Sequence, residues 1–156
     1  MRFILLLSLL VMAPLFANPA LDDLNHLLEK KKASTSIEKV QELDAYYLIF
    51  IFKASCPHCH QFAPILKDFA AHYHIEVKSY STDGGDLESL QAEALTPELF
   101  QVLYASGGYK PAVPALFLVN RDTRDAYAVL FGEATPYELA ERMQTLLTHL
   151  KEKFDG

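Results

Sequence analysis

The chain has 156 residues, 51% of them hydrophobic and 22% charged, and carries a net charge of −6. That length and apolar content suit one packed domain. The acidic balance argues against nucleic-acid binding: Lys30-Lys31-Lys32 is brief and no dense basic stripe occurs elsewhere.

In chain order, Met1 to Ala17 reads as a secretory signal peptide. A positive start at Arg2 precedes an almost wholly apolar Phe3 to Phe16, and Leu15-Phe16-Ala17 forms a cleavage-like end. The run is shorter than the ~20 residues a spanning helix needs, so cleavage is expected, with retention as an anchor the alternative. A short helical extension follows over 18–36. Leu21, Leu24, Leu27 and Leu28 place a helix at 20–32, a possible dimer contact. The main domain is expected over 37–156. Thr35 and Glu38 form a capping-box pattern for a second helix ending near Leu43, and the apolar run 46–53 reads as a buried central strand.

The only two cysteines then appear in Cys56-Pro57-His58-Cys59. Strand, CxxC, helix is where a redox-active dithiol is expected. Pro57 suits the first helical position, which makes Cys56 the N-cap. Its sulfur would face unpaired N–H groups at the positive end of the helix dipole, which favours thiolate. A protonated His58 would add to this, so Pro57 and His58 are redox-tuning candidates. Cys56 is the expected attacking thiol and Cys59, one turn deeper, the resolving one. A structural staple is the bland alternative, but so small a loop constrains the unfolded chain little.

The helix from Pro57 should run to about His72, with Phe62, Leu66 and Phe69 inward and a kink at Pro64. Residues 74–81 read as a strand and Thr82 to Gly85 as a loop. Thr96-Pro97-Glu98 starts a helix that Gly107-Gly108 stops. Ala115 to Asn120 and Tyr127 to Phe131 read as a β-hairpin. Thr135-Pro136-Tyr137-Glu138 caps a last helix that buries Leu139, Met143, Leu146 and Leu150. The expected order is ααβαβαββα.

Cys56 to Cys59 with the preceding strand, Pro64 five residues later, and Val113-Pro114 before a hairpin together resemble the thioredoxin superfamily. The resemblance covers roughly 37–154. It implies an α/β thioredoxin fold with a central mixed sheet flanked by helices, and a cis peptide at Val113-Pro114. It also implies that Val113 and Pro114 form a substrate-docking edge pairing with an extended peptide. The Pro-His dipeptide and the valine before proline are similar to the DsbA oxidases. Only residues 60–113 separate the cysteines from that proline, however, too few for their inserted helical domain, and 18–45 is too short for a DsbC-type dimerisation domain.

A closer resemblance is to the small exported thioredoxins of F-type conjugative transfer, the TrbB/TraF group. Cys56-Pro57-His58-Cys59-His60, Ala63 to Lys67, Ser81 to Gly85 and Val113 to Asn120 carry it. It implies a periplasmic thiol-disulfide oxidoreductase, oxidase or isomerase, that serves assembly of a conjugative pilus or type IV secretion machine. It would need no cofactor beyond the Cys56–Cys59 disulfide and no metal. Its partners would be cysteine-containing exported proteins and a membrane or periplasmic redox protein.

One departure stands out. Many thioredoxin-like enzymes carry a buried carboxylate six residues before the first cysteine, and here that residue is Phe50. Glu42, Asp44 or water would have to serve instead. Three other readings are open at this point. Cys-x-x-Cys-His60 is also the pattern of covalent haem attachment. A zinc site could draw on both cysteines and two of His58, His60, His72 and His74. A non-enzymatic chaperone module would use the Val113-Pro114 groove alone.

Overall fold

The computed structural model describes residues 43–88 and 90–154, all within the compact unit Ile37–Gly156. The signal peptide, the helix at 20–32 and nearly all of the helix ending at Leu43 lie outside the described residues.

The central strand is β1 (Tyr46–Phe52), buried at all seven positions. A strand covered on both faces has no reason to alternate polar and apolar residues, so it reads as one apolar run. The pleat still sorts its side chains. Leu48, Phe50 and Phe52 enter one core, and Tyr47, Ile49 and Ile51 enter the other.

The first core is closed by α1 (Pro57–Tyr73), which contributes Phe62, Ala63, Leu66 and Phe69. Pro64 lies on the exposed side and α1 runs through it unbroken. His74 ends the helix in the left-handed region (φ 54°), and the Ile75 N–H returns to the Ala70 carbonyl at 3.1 Å. That cap takes up the first residues of the expected 74–81 strand, so β2 begins only at Val77 and ends at Ser81.

β2 pairs parallel with β1, from Leu48↔Val77 to Phe52↔Ser81. Its outer edge meets β3 (Glu93–Ala94), two residues that no periodicity could announce. Next comes α2 (Pro97–Phe100), capped by the Thr96 hydroxyl, which accepts from the Leu99 N–H at 3.2 Å. It passes directly into a π-helical turn, Gln101–Ala105, that buries Leu103 and Tyr104 in the second core. Gly108, at φ 68°, lets the chain reverse.

β4 (Ala115–Asn120) and β5 (Ala126–Phe131) form the expected hairpin, with β4 antiparallel to β1. The last helix is α3 (Pro136–Phe154). Its capping box is formed: Thr135 N–H and hydroxyl donate to Glu138 Oε2 at 2.8 Å each, and the Glu138 N–H returns to the Thr135 hydroxyl at 3.3 Å. Its buried face is Leu139, Met143, Leu147 and Leu150; Leu146, expected there, is only partly buried.

The sheet order is β3-β2-β1-β4-β5, and the Val113-Pro114 peptide ahead of β4 is cis. This mixed sheet with α1 and α3 packed on one core and the α2 segment on the other is the thioredoxin fold. Among the described residues no helix is long and apolar enough to cross a membrane.

Candidate functional site

β1 and β2 run parallel, so the loops that follow them leave the same edge of the sheet, where sites in α/β folds collect. The first loop, Lys53 to Ser55, leads to Cys56, which has extended backbone (φ −91°, ψ 116°) and is the N-cap of α1, with Pro57 at the first helical position. Cys56 is half-buried, Cys59 is fully buried, and both are free thiols.

The Cys56 side chain makes no capping hydrogen bond. The expected seat for its sulfur on the Cys59 N–H is occupied instead by the Cys56 carbonyl, which accepts from Cys59 N–H at 3.1 Å and His60 N–H at 3.3 Å. The dipole of α1 still points at Cys56.

Burial pushes the Cys59 thiol up to about 12, against a hydrogen bond from the Lys53 backbone that favours its thiolate. A hydrogen bond to the Cys56 sulfur and the negative charges of Cys56 and Asp83 raise it further. At neutral pH Cys59 therefore keeps its proton, and the accessible Cys56 is the sulfur that can attack.

His58 is exposed and its Nδ1 lies 3.1 Å from Glu133 Oε2, on the loop between β5 and α3. When protonated it has a carboxylate partner that offsets its field at Cys56. His60 turns the other way, with Nε2 2.7 Å from the Ala54 carbonyl, which requires the proton on Nε2. That ring nitrogen is thus committed to the chain's own backbone, unlike the iron-facing nitrogen of a haem ligand.

The loop after β2 supplies a group that the sequence reading missed. Asp83 accepts from Ala54 N–H at 2.8 Å, from Ser55 N–H and hydroxyl at 3.2 Å each, and from the Ser81 hydroxyl at 2.9 Å. These bonds, the Ala54 one foremost, hold its carboxyl well below the usual carboxylate range. Glu133 was also missed, because its loop reaches His58 only through the fold. The signal for Asp83 was present: a polar loop after a strand parallel and adjacent to the one carrying CxxC.

Phe50 is fully buried and stacks on Phe52 with ring centroids 5.3 Å apart, so no carboxylate occupies its place. Asp44 does not substitute for it. It precedes β1 at the opposite end, roughly 20 Å or more away along the strand. Glu42 lies outside the described residues.

Beside the dithiol edge, the Tyr104 hydroxyl donates to the Ala112 carbonyl at 2.8 Å and fixes the approach to Val113-Pro114. Burial, and secondarily the charge of Cys59, push the Tyr104 hydroxyl up to about 12. Leu95, Phe100, Tyr104, Ala112 and Val113 line a largely apolar cavity of about 180 Å³. Pro114 is buried, and its carbonyl accepts from Gly132 N–H at 2.7 Å. The Val113 N–H and carbonyl have no hydrogen-bond partner among the described residues.

A family model described as TraF, F plasmid transfer operon protein, matches residues 17–144. Protein TrbB of Escherichia coli (strain K12) is 34% identical over 101 residues, 64% of this chain and 55% of that protein. The matched stretch thus spans just over half of that relative's length. Among solved structures, a thioredoxin-family thiol:disulfide interchange protein from Chlorobium tepidum TLS superposes with a TM-score of 0.47 at 14% identity, covering 70% of this chain and 84% of that one. DsbF from MTB superposes with a TM-score of 0.44 at 18% identity, covering 68% and 84%.

Proposed function

The chain belongs to the TraF family of F plasmid transfer operon proteins, and from that premise we propose that it exchanges disulfides with exported proteins during assembly of the conjugative apparatus. The observation that carries this reading is the half-exposed Cys56 at the start of α1 over a buried, hydrogen-bonded Cys59. The protein acts in the periplasm on cysteine-containing partners, uses no cofactor beyond this dithiol, holds no metal and binds no nucleic acid. A membrane or periplasmic redox protein recycles it.

As an isomerase, the Cys56 thiolate attacks one sulfur of a wrong disulfide. The other sulfur leaves as a substrate thiolate and attacks a second substrate disulfide; the thiolate which that releases attacks the substrate sulfur of the mixed disulfide, and Cys56 returns as thiolate with no net oxidation. As an oxidase, a substrate thiolate attacks Cys56 of the Cys56–Cys59 disulfide. Cys59 leaves as thiolate and takes up a proton, and a second substrate thiolate displaces Cys56. Two substrate thiols become one disulfide while the protein disulfide becomes a dithiol.

A leaving thiol of high pKa departs slowly. The strongly raised Cys59 pKa therefore hinders the oxidase route and leaves the isomerase route, which runs through Cys56 alone, unimpeded. Isomerisation is the direction we favour. The Val113 backbone, unpaired among the described residues, and the neighbouring cavity dock an extended substrate segment by main-chain pairing.

The test is recovery of activity in a scrambled, multi-disulfide substrate, with Cys59→Ser as the diagnostic variant. The proposal expects isomerisation to survive in that variant, mixed disulfides to accumulate through Cys56, and Cys56→Ser to abolish both. The open Val113 edge also favours a second reading, a holder of unfolded partners that needs no thiols. A Cys56→Ser, Cys59→Ser double variant that still supports assembly would select it.

A further inference from the structure

We infer that Asp83 is a positioning residue for the dithiol: it pins the Lys53–Ser55 turn, and through that turn fixes where the Cys59 sulfur sits relative to Cys56. The inference rests on the disulfide-exchange reading and deepens it.

The turn is held from both sides. Asp83 takes the Ala54 N–H, the Ser55 N–H and the Ser55 hydroxyl. His60, on the first turns of α1, takes the Ala54 carbonyl. The Lys53 carbonyl accepts from the Cys56 N–H at 3.0 Å. The Lys53 backbone also hydrogen-bonds the Cys59 sulfur. The turn therefore touches both cysteines, and Asp83 and His60 hold its Ala54 and Ser55 groups from outside.

Asp83 is itself aimed. The nearly buried Ser81 hydroxyl donates to Oδ1, and the Thr82 N–H bonds the Phe52 carbonyl at 2.9 Å, which zips the two loop bases together. Gly85 permits the approach: a Cβ there would meet the Ala54 Cβ at 2.6 Å. Four donors already converge on this carboxylate, and they keep it ionised, so it does not take the Cys59 proton that Phe50 cannot take. It orders and it repels negative charge.

Both effects act the same way on one equilibrium, protein dithiol + oxidised glutathione ⇌ protein disulfide + 2 reduced glutathione. Loss of Asp83 loosens the turn that holds two sulfurs within bonding reach, which weakens the disulfide. It also removes an anion that disfavours thiolate, which stabilises the dithiol.

The test measures this equilibrium constant, together with urea unfolding, for the full chain, Asp83→Asn and Ser81→Ala. Asp83→Asn, which puts an N–H₂ against backbone donors, is expected to lower the constant about tenfold. Ser81→Ala, which leaves the turn's own bonds in place, is expected to lower it about two- to threefold. A lowered urea midpoint with an unchanged constant in Asp83→Asn would reduce Asp83 to a loop-stabilising residue and overturn the inference. Should Asp83→Asn fail to fold, Ser81→Ala decides: a lowered constant supports the inference and an unchanged one overturns it. A wild-type chain that forms no intramolecular disulfide would instead sink the exchange reading itself.

Discussion

Alanine at Gly85 places a methyl carbon 2.6 Å from the Ala54 Cβ, where carbon atoms prefer about 3.5–4.0 Å. Ala54 has no rotamer with which to step aside, so the loops after β1 and β2 must separate by roughly 1 Å. Gly85 has none of the positive φ found at Gly84 and Gly108, so the backbone tolerates alanine and the cost is steric. Overpacking of this kind costs about 1–3 kcal/mol. The Ala54–Asp83 hydrogen bond, 2.8 Å in the native chain, stretches with the separation.

Urea unfolding at fixed m gives the loss directly. Ala54→Gly alone should cost about 0.4–1 kcal/mol through the unfolded chain. The double variant Ala54→Gly, Gly85→Ala removes the collision and should recover at least ~1 kcal/mol relative to additivity. A coupling energy below ~0.5 kcal/mol, the range of independent sites, would refute the close approach of these two loops and the positioning argument built on it.

Three further outcomes follow from the same structure. The folded chain keeps the Cys59 proton up to about pH 12, whereas the unfolded chain gives it up near the ordinary value of 9.0. The stability that Cys59 contributes is therefore intact below pH 9 and lost progressively as pH rises towards 12; a urea midpoint that falls more steeply from pH 9 to 11 in wild type than in Cys59→Ala, where the raised Tyr104 still titrates, is the check. Thr135→Ala removes the two hydroxyl bonds of the α3 capping box, leaving the backbone N–H bond to Glu138, and should cost about 1 kcal/mol; a loss under ~0.3 kcal/mol would contradict that geometry. Phe50→Asp, which installs a carboxylate where related folds carry one, should cost upwards of ~3 kcal/mol because the site is fully buried among aromatic rings. A stable Phe50→Asp chain would mean that water reaches this position.

The parts of the fold that the sequence disclosed share a physical cause. β1 is apolar throughout because both faces are covered, and α1 and α3 repeat their apolar residues at helical spacing because one face of each is buried. Local chemistry announced the α3 capping box and the start of α1 at Pro57. What stayed hidden was non-local or too short. β3 is two residues long, and the π-helical turn after α2 changes the hydrogen-bond register without changing composition. On the buried face of α3, Leu147 rather than Leu146 points inward because positions three and four after Met143 both lie on that face, and periodicity alone does not choose between them. At the site, the cysteine pair stood out because Cys56-Pro57-His58-Cys59 is a contiguous pattern, whereas the cis Val113-Pro114 peptide followed only from the thioredoxin resemblance, a Val-Pro pair alone being equally compatible with trans. Asp83 had only the indirect signal of a polar loop after the strand next to β1, and Glu133 had none, because they meet Ser55 and His58 only after the strands align.

The most direct test of the central claim is an equilibrium titration of the two thiols against glutathione, read by mass. One two-electron transition is expected, in which both thiols vanish together, two hydrogens are lost, and the potential falls between the roughly −120 mV of DsbA and the roughly −270 mV of thioredoxin. Two thiols that persist, or that yield only glutathione adducts, would contradict a Cys56–Cys59 redox pair.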